Sequence, residues 1–148
     1  MDSKFKYIAH RGNTVGPKPN RENDPEYISE ALLKGFDVEV DVWVKNGNFI
    51  LGHDEPVYGV NQEFLQDERI WCHAKNLAAL KAMLDLDIHC FFHDTDDFTI
   101  TNRKIIWTFP GKEVTNRSVI VLTDLKPFDG RCFGICSDYV EFFRDESK

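Results

Sequence analysis

Residues 36–44, FDVEVDVWV, alternate strictly between acidic and apolar side chains as far as Val42. A helix would scatter Asp37, Glu39 and Asp41 around its circumference, whereas a strand, with its period of two, gathers them on one face and sets Val38, Val40 and Val42 on the other. The next residues, KNGN at 45–48, contain Asn46-Gly47, the strongest short hairpin signal, so the chain turns back through FILGHD. Glu39 and Asp41 then stand about 6.6 Å apart along the strand. Their face is either a solvated sheet surface or the interior of a barrel. On an interior, two converging carboxylates repel unless they are protonated or share a cation. Histidines at neighbouring strand ends favour the cation.

The rest of the chain supplies more strands. YIAHRGN (7–13) is a short apolar strand running into His-Arg-Gly, and a polar, broken loop, NTVGPKPNREN, follows it. A helix fits Asp24 to Lys34, with Asp24 as N-cap, Pro25 in the first turn and Gly35 as stop. IWCHAK (70–75) reads as a strand, followed by a helix over 76–86. Strand-like runs recur at 88–94 (IHCFFHD), 105–109 (IIWTF), 118–124 (SVIVLTD) and 132–140 (CFGICSDYV). Strands alternating with helices predict an α/β fold with a parallel sheet. A full (β/α)₈ barrel needs roughly 250 residues, and this chain has 148. The prediction is one domain, 1–148: a trimmed TIM-like barrel, several outer helices reduced or missing, with a β-hairpin after its second strand.

The net charge of −7 excludes a nonspecific nucleic-acid binder, which needs a basic face. No apolar run approaches a membrane span or a signal sequence. Cys72 and Cys90 fall in strand-like runs where small buried thiols are common, and Cys132-x-x-x-Cys136 is not a zinc spacing. A reduced, cytoplasmic protein is predicted. With only two helices readable, the Val38–Val44 face lacks cover, which predicts a homo-oligomer, most simply a two-fold dimer, unless loops or the EFFRDESK segment cover the strands.

Reactive residues fall in order at strand ends: His10-Arg11, Glu39-x-Asp41, His53-Asp54, His73-x-Lys75, His93-Asp94 and Asp124. In a parallel barrel that rim is where active sites are built. His93-Asp94 with Asp96 and Asp97 reads equally as rim groups or as a solvated acidic turn, and His89 reads as structural.

Taken together, HRG, an REN element before a helix, a Gly-x-Asp-x-Glu-x-Asp-Val strand and an Asn-Gly hairpin ending in His-Asp resemble the glycerophosphodiester phosphodiesterase family of phospholipase C-like barrels. The likeness is dense over residues 7–54 and continues at Lys75 and at CSDYV. It implies that His10 and His53 are the general acid and base, that Arg11 and Lys75 bind phosphate, and that Glu22, Glu39 and Asp41 hold a divalent cation (Mg²⁺, Mn²⁺ or Ca²⁺). The substrate would be a glycerophosphodiester or a related small phosphodiester. The chemistry agrees: phosphodiester hydrolysis needs charge neutralised, a nucleophile deprotonated and a leaving alkoxide protonated. Where the family has a glutamate two positions before the lysine, this chain has His73, a further metal ligand that suits Mn²⁺ better than Ca²⁺. The alternatives are a lysophospholipid, cyclic or nucleotide phosphodiester as substrate, or a phosphate-binding barrel without turnover.

Overall fold

A computed structural model describes residues 4–147. The chain begins with β1 (Lys6–His10), crosses over through α1 (Pro25–Leu33) and returns as β2 (Asp37–Lys45). The hairpin strands β3 (Asn48–Leu51) and β4 (Tyr58–Val60) follow, then a single turn, α2 (Gln62–Leu65). Next come β5 (Ile70–Ala74), α3 (Leu77–Asp85) and the very short β6 (Cys90–Phe91). The last third holds β7 (Phe98–Ile100), β8 (Ile106–Thr108), β9 (Ser118–Leu122), β10 (Gly134–Ser137) and α4 (Val140–Glu146).

The helix signals act as anticipated. Asp24 accepts the Glu26 N–H at 2.9 Å, with Pro25 in the first turn of α1. Asn76 caps α3 by accepting the Ala79 N–H, and its side chain also bonds the Val44 N–H and carbonyl, tying the start of α3 to the end of β2.

Seven strands run parallel in the order β8-β9-β10-β1-β2-β5-β6, and β7 adds to β8 antiparallel. The β3–β4 hairpin pairs with the part of β2 that continues past β1. The sheet curls until β6 faces β7. Among the described residues no ladder joins these two. Asn102 bridges the seam instead: its N–H reaches the Cys90 carbonyl at 3.1 Å, and its side chain accepts the Cys90 N–H and donates to the Ile88 carbonyl. At the other end of the seam the Thr99 hydroxyl donates to the Phe92 carbonyl at 2.9 Å. The result is a barrel-like curled sheet, not a complete (β/α)₈ barrel.

Three helices pack outside it. Val38, Val40 and Val42 are fully buried beneath Ile28 and Ala31 of α1 and Ala79 and Met83 of α3. The sequence-based argument for an uncovered β2 face therefore fails, because the chain covers that face itself. The run expected as one strand over 132–140 stops at Ser137. The EFFRDESK segment contributes most of α4, whose Phe143 packs on Ile120, Leu122 and Ile135. The uncovered apolar strip lies elsewhere, on β7, where Phe98 is 48% and Ile100 61% exposed. Inside the curl, Ile8, Trp71, Phe91, Trp107, Val119 and Cys136 form the core. The acidic face of β2 points into this interior, which decides between the two readings of its alternation. All four cysteines are free, and among the described residues no helix is long and apolar enough to cross a membrane.

Candidate metal and acid–base site

The His-Arg-Gly ending of β1 has a steric cause. Arg11 and Gly12 both take left-handed backbone angles, with φ of 57° and 92°. A Cβ on Gly12 would lie 2.9 Å from Cδ2 of Tyr27, so only glycine turns the chain this sharply over α1. The turn leaves His10 and Arg11 on the wall of a cavity of about 250 Å³ at the carboxyl end of the sheet.

His10 is held from behind. Its Nδ1 lies 2.8 Å from Oδ1 of Asp138, which stands just past β10, the strand paired with β1. Asn13 donates to the same oxygen at 2.9 Å, and Tyr27 donates to Asn13. A carboxylate in this position assigns the proton to Nδ1 and turns Nε2 toward the cavity, 3.8 Å from Oε1 of Glu39. Burial pulls the His10 pKa down, but the Asp138 bond and the Glu39 charge outweigh it, so the net shift is upward. Burial pushes Asp138 up, and the His10 bond and charge together with Asn13 and Arg11 bring it below its ordinary value.

Glu39 and Asp41 on β2 and His73 on β5 form the cluster with metal-binding geometry. Asp41 and His73 are direct register partners, and one ligand atom from each of the three residues lies within 4.8 Å of the others. Glu39 is buried, and its Oε1 has no hydrogen-bond partner. Burial, reinforced by the Asp41 charge, raises its pKa. Burial also pushes Asp41 upward, but the His73 bond and charge, Arg11 and Asn23 hold it down to about 2. Asn23 donates to Oδ2 of Asp41 and accepts the Asp41 N–H, a two-point clamp.

His73 shows what the cluster is suited to hold. Its Nε2 faces the His93 carbonyl at 3.3 Å, and a carbonyl only accepts, so Nε2 carries a proton. Nδ1 is 3.2 Å from Oδ1 of Asp41. In neutral imidazole that contact would oppose two lone pairs. A second proton or a cation is required there, and Glu39 offers a further unpartnered oxygen to the cation.

Six of the eight residues singled out in the sequence share the cavity: His10, Arg11, Glu39, Asp41, His53 and His73. His53 sits on the loop after β3, its ring 2.8 Å from Asp54 and its side chain 42% exposed. That loop is fastened where Trp43 donates to the Gly52 carbonyl. Arg11 is engaged by protein: Nη1 bonds Glu22 at 3.2 Å and Nε lies 3.4 Å from Asp41. Glu22 stands outside the ligand cluster, holding Arg11 with one oxygen and the Lys18 N–H with the other. Lys75 does not line the cavity. Of the remaining rim residues, His93 and Asp96 line the cavity, whereas Asp124 is exposed and paired with Lys126 at 3.5 Å. His89 lies outside the cavity, its ring tilted 48° against that of Trp71 at the far end of the sheet.

Asp138, Asn13 and Asn23 went unassigned in the sequence. Asp138 falls in the CSDYV run and Asn23 in the REN element, neither with a role of its own, and Asn13 reads as an ordinary loop residue. The wall facing the ionisable groups is apolar: Trp107, Phe109, Pro110 and Val121. Compared with known protein families, curated proteins and solved structures, the chain matches none.

Proposed function

We propose that this cavity is the active site of a divalent-cation-dependent phosphodiester hydrolase working by histidine acid–base chemistry, as in the glycerophosphodiester phosphodiesterases that the sequence resembles. The observation carrying the proposal is the acceptor-on-acceptor contact of His73 and Asp41 beside the orphaned Glu39 oxygen. These residues fit a cation and would hold it through Nδ1 and two carboxylates, a mixed set suited to Mn²⁺ or Mg²⁺. When bound, the cation supplies charge neutralisation at the phosphoryl oxygens. The chain's own groups do the rest. Nε2 of His10 takes the proton of the attacking water or hydroxyl, and Asp138 stabilises the imidazolium that forms. His53, across the cavity, gives a proton to the departing alkoxide. Arg11 keeps Asp41 ionised and oriented.

The cavity is smaller than the usual range for drug-sized ligands, which supports a small phosphodiester with one group against the Trp107 wall. The charges weigh against a phosphate-binding module that needs no cation. Arg11 is matched by Glu22 and Asp41, so the bare pocket repels a phosphate. A panel of phosphodiesters incubated with the apo-protein and with added Mg²⁺, Mn²⁺ or Ca²⁺ tests the proposal. Alcohol release is expected with Mn²⁺ or Mg²⁺ and none without metal. Phosphate binding with no release under any metal would replace it with the binding reading.

A further inference from the structure

We infer that His93 is a positioning residue for the cation site, fixing His73 in the orientation that turns Nδ1 inward; this rests on the cation reading above. An imidazole ligand has two orientational freedoms, the plane of its ring and its sense within that plane. His93 acts on both. Its ring lies 4.5 Å from that of His73 with the planes 8° apart, and its backbone carbonyl accepts the His73 Nε2–H. Phe91, the register partner of His73 on β6, presents a third ring 5.2 Å away and only 3° from parallel. Phe91 and His93, two residues apart and themselves 5.8 Å and 9° apart, therefore form with His73 a cluster of three near-parallel rings that fixes the plane of the ligand ring.

Groups that hold a ligating histidine in tautomer and orientation generally contribute 10–100-fold to metal affinity. Here the tautomer comes from the carbonyl and the plane from the rings, so the two can be separated by mutation. His93→Phe keeps both. His93→Leu keeps the carbonyl and fills the space but removes the parallel ring.

The experiment is Mn²⁺ titration of the apo-protein followed by electron paramagnetic resonance, with Co²⁺ absorption reporting ligand geometry. His93→Phe should bind within about threefold of the wild type, whereas His93→Leu should bind roughly tenfold or more weakly with an altered Co²⁺ spectrum. A thermal melt of each variant checks that the fold persists, and His93→Ala repeats the comparison should the leucine disturb it. If His73→Ala loses Mn²⁺ while His93→Leu and His93→Ala bind as the wild type does, the positioning role is wrong and the cation site stands. If the wild type binds no Mn²⁺, or Glu39→Gln binds as well as the wild type, the cation reading falls and the inference with it.

Discussion

Strands β1, β2, β5 and β10 carry α1, α3 and α4 on their outer faces and supply His10, Arg11, Asp138 and the Glu39–Asp41–His73 cluster at their ends, while His53 rides on the hairpin and His93 and Asp96 follow β6. Strands β7 and β8 carry no helix and, with β9, supply the apolar wall of Trp107, Phe109 and Val121. The difference follows from what each side must do. Ligands and proton-transfer groups work only within narrow distances, and strands clamped between an interior core and an outer helix keep those distances. An apolar wall needs shape alone, so the chain can dispense with helices there and still form a cavity in 148 residues.

The largest expected effects belong to the clamped side. His10→Ala should lower turnover by roughly 10²–10⁴-fold, and His53→Ala likewise, without loss of fold. The double variant should lose much less than the product, because the two act on one proton transfer cycle. Strictly multiplicative losses in steady-state assays would separate them. Next comes stability. Met83→Ala on the inner face of α3 should cost about 2–5 kcal/mol in urea unfolding, whereas Ile100→Ala on bare β7 should stay within about 0.5 kcal/mol. Equal costs would erase the distinction between the two sides.

A smaller effect sits at the seam between them. His89 hydrogen-bonds Thr101 at 2.8 Å across the gap, and burial, helped by Arg103, pulls its pKa down to about 4 from an ordinary 6.5. A base depressed on folding stays neutral in the folded chain while the unfolded chain takes up a proton. Stability should therefore fall as pH drops from about 6.5 toward 4, by at most roughly 1.4 kcal/mol per pH unit. Unfolding curves for the wild type and His89→Gln should diverge over that window, and parallel pH dependences would mean that His89 does not titrate this way. The smallest effect concerns association. With the β2 face covered, the homo-oligomer expected from the sequence could instead bury the exposed Phe98–Ile100 strip of β7. A light-scattering mass above 17.2 kDa that returns to it in Ile100→Lys keeps that expectation, and 17.2 kDa for both proteins ends it.

Much of the clamped side was legible because its signals are local. The alternation of β2, the Asn-Gly turn and the Asp24 cap each act over a few residues. What was missed depends on distance or on weak local cues. Asp138 meets His10 from 128 residues away through β1–β10 pairing, which no short window contains. Tyr139 precedes α4 without making a side-chain cap bond, so the helix start blended into the apolar run before it. β4 and β7 are three residues each, too short to show a period. Glu22 and Lys75 were placed by resemblance; in the fold, Glu22 is occupied by Arg11 and Lys75 lies off the cavity wall.

The missing ladder between β6 and β7 makes the sheet a bracelet with a clasp. Asn102 is most of that clasp, and the three hydrogen bonds it makes are together worth only a few kcal/mol net. Counting strands around the ring, the clasp lies directly across from the β1–β10 junction, where His10 meets Asp138. The ring can spring at its fastening while that pair stays still. In hydrogen exchange the Cys90 and Asn102 amides should be the first to open, with those of β1 and β10 among the last.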